Sequence, residues 1–222
     1  MDFASTESME KLLIYNGSPR RVGSNSALIL NKAVDALGDR VEIRNLKESD
    51  KWEEWTEAFK SEKHVMFFMP LYVHAMPSHV VAFIEKLQAC KGSISFFVQS
   101  GFPESSQSYY LEAYFELLAL RLGRTYLGTA IKGGVEGLQM RPNKAQDKMI
   151  EPMVKTIVNL VCEGKFNPTD IRQLARPIRL GKGMEILFKL LTKIGLINFF
   201  WNQQFKVNNA YKKRFDRPYL LP

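Results

Sequence analysis

The sequence predicts an α/β fold, an open sheet of five parallel strands with helices on both faces, followed by a helical extension. Three observations lead there. Five short apolar runs (12–15, 41–46, 64–69, 93–98 and 125–131) alternate with stretches whose apolar residues recur at helical spacing, the pattern of repeated strand–helix–strand units. The run His64-Val-Met-Phe-Phe-Met69 is continuous and apolar, the mark of a central strand covered on both faces. Finally, three of the strands lead straight into polar loops bearing Gly or Pro, at 16–26, 70–77 and 99–107.

The first unit runs from Leu12 to Leu37. Leu12 to Tyr15 reads as a buried strand, and Asn16, Gly17, Ser18 and Pro19 cluster turn-forming residues behind it. After Arg20, Arg21, Val22 and Gly23 the spacing becomes helical, with Ala27, Leu28, Leu30, Ala33, Val34 and Leu37 on one broad face. Ser24, Asn25 and Ser26 stand where the first backbone N–H groups of that helix lack intrahelical partners, so the loop offers donors backed by a partial positive charge. Such a place holds phosphate, and Arg20 can add a charge-assisted hydrogen bond. An ordinary strand-to-helix turn with a good N-cap shares these features, and both readings stand at this point. The segment has neither a Gly-Lys-Ser/Thr ending nor the glycine spacing of a dinucleotide fingerprint.

Residues 41–46 alternate apolar and polar, which suits the sheet edge. Lys51 to Lys63 places Trp52, Trp55 and Phe59 on one stripe of a charged helix, where they serve the core. The loop after 64–69 opens at the C-terminal end of a parallel strand, the side on which open α/β sheets bind ligands. Tyr72 offers a flat ring there, and Leu71, Val73 and Met76 offer apolar walls beside backbone groups able to read a planar ring. A half-buried surface aromatic is the plainer reading of Tyr72. His74 and His79 are five apart and make no metal pair; His74 can approach a ligand.

Ser78 is read as the N-cap of a helix over His79–Cys90 with Val80, Val81, Phe83, Ile84 and Leu87 on its apolar face. The strand Ser93–Val98 ends in Gln99-Ser-Gly-Phe-Pro-Glu-Ser-Ser-Gln107, a third polar loop at the same edge if the crossovers are right-handed. Ser105 or Ser106 is expected to cap the helix through Tyr109, Leu111, Tyr114, Leu117, Leu118 and Leu122, which Gly123 stops. Thr125–Ile131 is the fifth strand and 143–163 the next helix. Gly133, Gly134 and Gly137 between them read as a permissive turn in preference to a phosphate loop for a nicotinamide nucleotide.

With 222 residues, 45% hydrophobic and 24% charged, the chain can bury a real core without disulfides. Met1 to Lys11 is polar and acidic, so no signal peptide is expected. Cys90 and Cys162 stand far apart, which points to a reducing cytoplasm, and no metal-ligand spacing is present. Net charge is +8, but its location matters more. From Gly164 onward twelve Lys and Arg face three Asp and Glu, a net +9, which leaves the first 163 residues at −1.

Within 164–222, Met184 to Trp201 is strongly apolar but interrupted by Glu185, Lys189 and Lys193, short of the roughly 20 apolar residues a membrane span needs. Leu187, Leu190, Leu191, Ile194, Ile197 and Trp201 form a helical stripe, read as packing on the core domain or a partner subunit. An interfacial membrane helix is the rival. Asn208 to Arg217 is a basic helix or tail that does not by itself indicate DNA or RNA.

Asn16-Gly-Ser-Pro-Arg-Arg-Val-Gly-Ser-Asn-Ser resembles the first loop of the flavodoxin-like NAD(P)H-dependent FMN reductases, in which an N-G-S-P-R-x-x-(G)-x-N-[ST] segment cradles the FMN phosphate. Met69-Pro-Leu-Tyr-Val-His-Ala-Met-Pro77 is similar to that family's second flavin loop, and the resemblance spans about residues 12 to 163. It implies a flavodoxin-like sheet of order 2-1-3-4-5 in an FMN-binding domain at 1–163, with 164–222 a basic helical extension. It implies FMN as cofactor, NADH or NADPH as donor, and a quinone, flavin or similar small electrophile as acceptor. Ser18, Arg20, Ser24, Asn25 and Ser26 would meet the phosphate; Pro70, Leu71, Tyr72, Val73, Ser100, Gly101 and Phe102 would surround the ring. No catalytic side chain is implied, because the cofactor carries the redox chemistry. A cytoplasmic homodimer follows by analogy. The alternative is a flavodoxin-like electron carrier or FMN-binding interaction protein without nicotinamide turnover, although such carriers are typically acidic and this core is neutral. A third possibility makes the domain a scaffold for a tail that meets membrane or nucleic acid.

Overall fold

The computed structural model describes residues 8–20, 23–195 and 198–217. Arg21 and Val22 of the first loop, and Ile197 of the apolar stripe, lie outside the described residues. The strands β1 (Leu12–Asn16), β2 (Val41–Asn45), β3 (His64–Pro70), β4 (Ser93–Gln99) and β5 (Thr125–Lys132) form one parallel sheet in the order β2-β1-β3-β4-β5. The expected order is therefore the observed one, and β2, which pairs only with β1, is the half-exposed edge its alternation indicated.

Side-chain parity explains the two faces. In β1, Leu12 and Ile14 join Met66 of β3, Phe97 of β4 and Ala130 of β5 under α1 (Asn25–Leu37) and α5 (Asn143–Glu163). Leu13 and Tyr15 join Phe67, Phe96 and Val98 on the other face. There they meet α2 (Trp52–Ser61), α3 (Ser78–Ile84) and α4 (Tyr109–Arg121). Trp55 and Phe59 are buried here, as their stripe required. Phe96 stacks on Phe115 with ring centroids 3.9 Å apart, and the Tyr15 hydroxyl donates to the Trp55 carbonyl at 3.0 Å.

At the N-terminal edge of the sheet Arg124 is buried, with no ion pair among the described residues. Its guanidinium donates to the carbonyls of Ser93 (3.1 Å), Glu62 (3.0 Å) and Phe59, and lies 4.1 Å over the Phe59 ring. Phe59 and Glu62 sit at the C-terminal end of α2, so a cation closes that helix from 62 residues away.

Three local expectations change. The helix expected over 79–90 ends at Ile84 and begins at Ser78 itself, which makes no side-chain cap. Past it the chain turns back, and Cys90 donates its N–H to Leu122. Neither Ser105 nor Ser106 caps α4: Ser105–Ser108 is a 3₁₀ turn whose Ser105 and Ser106 N–H groups donate to Pro177 and Ile178. The chain forms two compact units, Met1–Arg179 and Leu180–Pro222, and α6 (Pro168–Leu174) lies in the first. Phe166 and Leu174 enter its core, and Asp170 binds Asn159 at 2.6 Å and Lys155 at 3.2 Å.

The second unit, from Leu180 onward, contains α7 (Lys182–Lys193) and α8 (Asn198–Val207). Gly195, at φ +77°, lies between them, so the stripe expected to be continuous is split across two helices. Among the described residues no helix is long and apolar enough to cross a membrane.

Candidate functional site

Asn16 ends β1 and starts the first loop. Its side-chain carbonyl accepts the Ser18 N–H at 3.0 Å and its amide donates to Asn45 at 2.8 Å, an Asx turn braced by the neighbouring strand. Gly17 donates its N–H to Phe68 at 2.8 Å and passes so close to α3 that a Cβ would sit 2.5 Å from Val80 Cγ2 and 3.0 Å from Met69 Cβ. Ser18 is buried and its Oγ accepts the Arg20 N–H at 3.3 Å, while the Arg20 side chain is exposed. Ser24 caps α1, accepting from the Ala27 N–H at 3.0 Å.

Two further side chains of this loop reach across the sheet edge. Gln99 donates its amide to Ser26 Oγ at 2.7 Å, and Asn25 donates to the Val135 carbonyl at 2.8 Å. The hydroxyls and amide expected to ring a ligand are therefore engaged within the protein. What positions 24–26 present at the loop is the first turn of α1, whose leading N–H groups have no intrahelical acceptor.

At the end of β3, Leu71 donates its N–H to Gln99 at 2.7 Å and is buried. Tyr72 and Ala75 then close a two-residue turn, each bonding the other's backbone, with Val73 (φ 48°) and His74 (φ 64°) in the left-handed region. This leaves Val73 and Tyr72 exposed at the tip. From the β4 loop the exposed Phe102 sets its ring parallel to that of His74 with centroids 6.5 Å apart. Ser100 donates its N–H to Lys132 at 2.9 Å, and a Cβ on Gly101 would lie 2.6 Å from Glu136 Oε2.

The loop after β5 completes the rim. Gly134 and Val135 donate to the carbonyls of Phe102 (2.7 Å) and Ser100 (3.0 Å), and a Cβ on Gly133 would collide with the Pro103 carbonyl oxygen. Gly133–Gly137 is thus a turn pressed against the β4 loop. Of the twelve expected residues, Pro70 closes β3, Asn25 and Ser26 begin α1, and the others lie on the loops after β1, β3 and β4, with Tyr72, Val73 and Phe102 supplying exposed apolar surface. Two clefts of about 410 and 620 Å³ run along α5 and include none of these twelve.

Sequence reading did not single out Gln99 or Glu136. The signal for Gln99 was a long polar side chain closing a strand whose other polar residues are the small Ser93 and Ser95. Its Nε2 is bonded, but its Oε1 is buried with no hydrogen-bond partner among the described residues. Glu136 carried no signal beyond its place among glycines.

Burial, foremost, and then Lys47 hold the His79 imidazole below the ordinary histidine range, against the nearby Gly17 backbone, which raises it. At the far edge His64, 2.7 Å from Ser93 Oγ, is lowered by burial, Lys63 and Arg124. As pH falls through about 6.5 the unfolded chain takes up these protons before the folded one, so stability present above that pH is lost toward the lower folded values. The urea midpoint is expected to be lower at pH 5.5 than at pH 7.5 (about one unit either side of the free value), and the difference to shrink in His79→Gln. An unchanged midpoint would refute this.

A parallel five-stranded sheet of this order, with its loops gathered at the C-terminal edge, defines a flavodoxin-like fold. No protein-family model and no curated protein matches the chain. Solved structures do. The general stress protein 14 of Treponema denticola in complex with FMN is 14% identical, at a TM-score of 0.54, covering 68% of this chain and 97% of its own. An NADPH-quinone reductase from P. pentosaceus is also 14% identical, with a TM-score of 0.52 over 65% and 96%. An FMN-dependent NADH-azoreductase from Bacillus anthracis with FMN is 15% identical, with a TM-score of 0.50 over 68% and 99%. These likenesses are of fold, and about a third of this chain lies outside each of them.

Proposed function

We propose that the chain is an FMN-dependent oxidoreductase that accepts hydride from NADH or NADPH and reduces a small electrophile such as a quinone, a flavin or an azo compound. The observation that carries this reading is the rim itself: a helix N-terminus, a buried unpartnered Gln99 oxygen and an apolar tip lie on neighbouring loops of one sheet edge. The names of the structural neighbours, which speak of FMN, NADH, NADPH, quinones and azo substrates, agree with it.

The residues fit the cofactor's two ends. The N–H groups at the start of α1, with Ser18 and the exposed Arg20, would hold the phosphate; Pro70, Leu71, Tyr72 and Val73 with Ser100, Gly101 and Phe102 would hold the ring. Gln99 Oε1 fits an N–H on the ligand, which would relieve an otherwise costly buried acceptor. Bound FMN would supply the hydride chemistry, and the chain's work is to grip it, exclude water from one side and leave the other open. No side chain is assigned acid–base work. A cytoplasmic homodimer belongs to the same proposal; the two cysteines, Cys90 and Cys162, are free thiols in keeping with a reducing compartment.

The test is an FMN titration followed by anaerobic addition of NADH or NADPH. The expected result is stoichiometric binding and loss of absorbance near ~450 nm, where oxidised flavin absorbs. Absence of FMN binding would overturn the proposal, and binding without nicotinamide oxidation would favour the electron carrier. Arg20→Ala is expected to weaken FMN binding about fivefold while riboflavin binding is unaltered, since only the charged phosphate contact is removed. Equal losses for both ligands would show that Arg20 does not meet the phosphate.

A further inference from the structure

We infer that the C-terminal unit docks on an anionic lipid surface, with α7 lying in the headgroup layer. The sequence of α7 divides sharply. At about 100° per residue, Ile186, Leu190, Ile194, Leu187, Leu191 and Met184 sweep an apolar arc of roughly 200° with Phe188 at its end. Lys182, Lys189, Lys193, Glu185 and Thr192 occupy the remaining arc. No residue of α7 is buried, and Ile186 (58%) and Ile194 (66%), the residue just past its end, are largely open to solvent. A contiguous apolar face of this size on a soluble surface marks an interaction site.

Charge selects the occupant. From Leu180 onward there are eight Lys and Arg against Glu185 and Asp216, a net +6. Pairing this face with a second copy would bring two such units together, like charge on like. An anionic bilayer meets both properties at once, taking the apolar face into the acyl boundary and the lysines at its headgroups. The helix is too short to do more: its 12 residues span about 18 Å, well under the roughly 30 Å of a hydrocarbon core. On α8, Phe199 and Trp201 are exposed, the residue types that settle at a membrane interface. Beyond it the Arg214 guanidinium lies 3.8 Å over the Tyr211 ring, an ordered cation in the same basic segment.

Docking is independent of the flavin reading, and its test reads binding alone. The full chain would be sedimented with vesicles of phosphatidylcholine and with vesicles containing phosphatidylglycerol. Partitioning onto the anionic vesicles is expected to be at least roughly tenfold stronger and to fall with added salt. Leu187→Glu with Leu190→Glu should abolish it, and Lys189→Glu with Lys193→Glu should bring it down to the phosphatidylcholine level. All four positions are surface positions, and unchanged circular dichroism would verify the fold. Three results would overturn the proposal. These are no partitioning onto anionic vesicles, partitioning that survives Leu187→Glu with Leu190→Glu, or a dimer in solution that those two substitutions disperse.

Discussion

Gly17→Ala is expected to lower the free energy of unfolding by about 2–3 kcal/mol and to weaken FMN binding at least tenfold, by rough analogy with overpacked cores. Gly17 lies outside the left-handed region, so the added methyl acts through contact and not through backbone strain. The contact is severe because Val80 is fully buried on α3 and β-branched, with Cγ2 held 2.5 Å from the new atom. Relief requires the first loop or α3 to move. The loop is anchored by Asn16 to Asn45 and by its own N–H to Phe68. Displacing it would shift the start of α1 away from the proposed phosphate position. Urea unfolding and a flavin fluorescence titration would measure the two effects. In Gly17→Ala with Val80→Ala the severe contact is removed, leaving the milder 3.0 Å approach to Met69 Cβ, and affinity should recover more than stability, because the second substitution leaves a cavity. A Gly17→Ala protein with unaltered midpoint and affinity would show that the loop does not depend on this close approach.

Arg124→Leu is expected to cost about 3 kcal/mol of stability while changing FMN affinity less than about twofold. The guanidinium donates to the carbonyls of Phe59, Glu62 and Ser93 in a buried place, and leucine would remove all three bonds, leaving Phe59 only the weak thiol donor of Cys90 among the side chains. It would also lose the cation over the Phe59 ring. Because these groups gather at the N-terminal ends of β4 and β5, the damage lies at the edge opposite the candidate site. Gly92 belongs to the same arrangement: at φ +129°, with the Lys63 carbonyl 2.6 Å from where a Cβ would be, it lets the arginine reach past. Equilibrium unfolding of the variant with and without FMN separates the two claims. Loss of affinity as large as that of Gly17→Ala would mean that the two edges are not independent.

These two predictions also mark what could and could not be read from residues. Gly17 was visible as part of a turn between an apolar strand and an amphipathic helix, so its neighbourhood was legible although its contact with Val80 was not. Arg124 was not legible at all, since a lone arginine after a helix-stopping glycine reads as a solvated charge. The serine caps expected at Ser78, Ser105 and Ser106 fail for a related reason. Capping is a local competition, and at Ser105 and Ser106 the backbone finds carbonyls more than 70 residues away.

By itself the sequence determined the five strands and the helices between them, the parallel sheet, the edge position of β2 and the edge at which the loops gather. Each follows from burial periodicity and turn chemistry within a few residues of chain, which need no knowledge of distant partners. Only the tertiary structure decided that Ser24, Asn25 and Ser26 turn their side chains to the protein, that Gln99 holds a buried oxygen at the rim, and that α6 belongs to the sheet unit. Those outcomes depend on pairings between residues as far apart as Asn25 and Val135, whose geometry exists only once the sheet has brought its strand ends together.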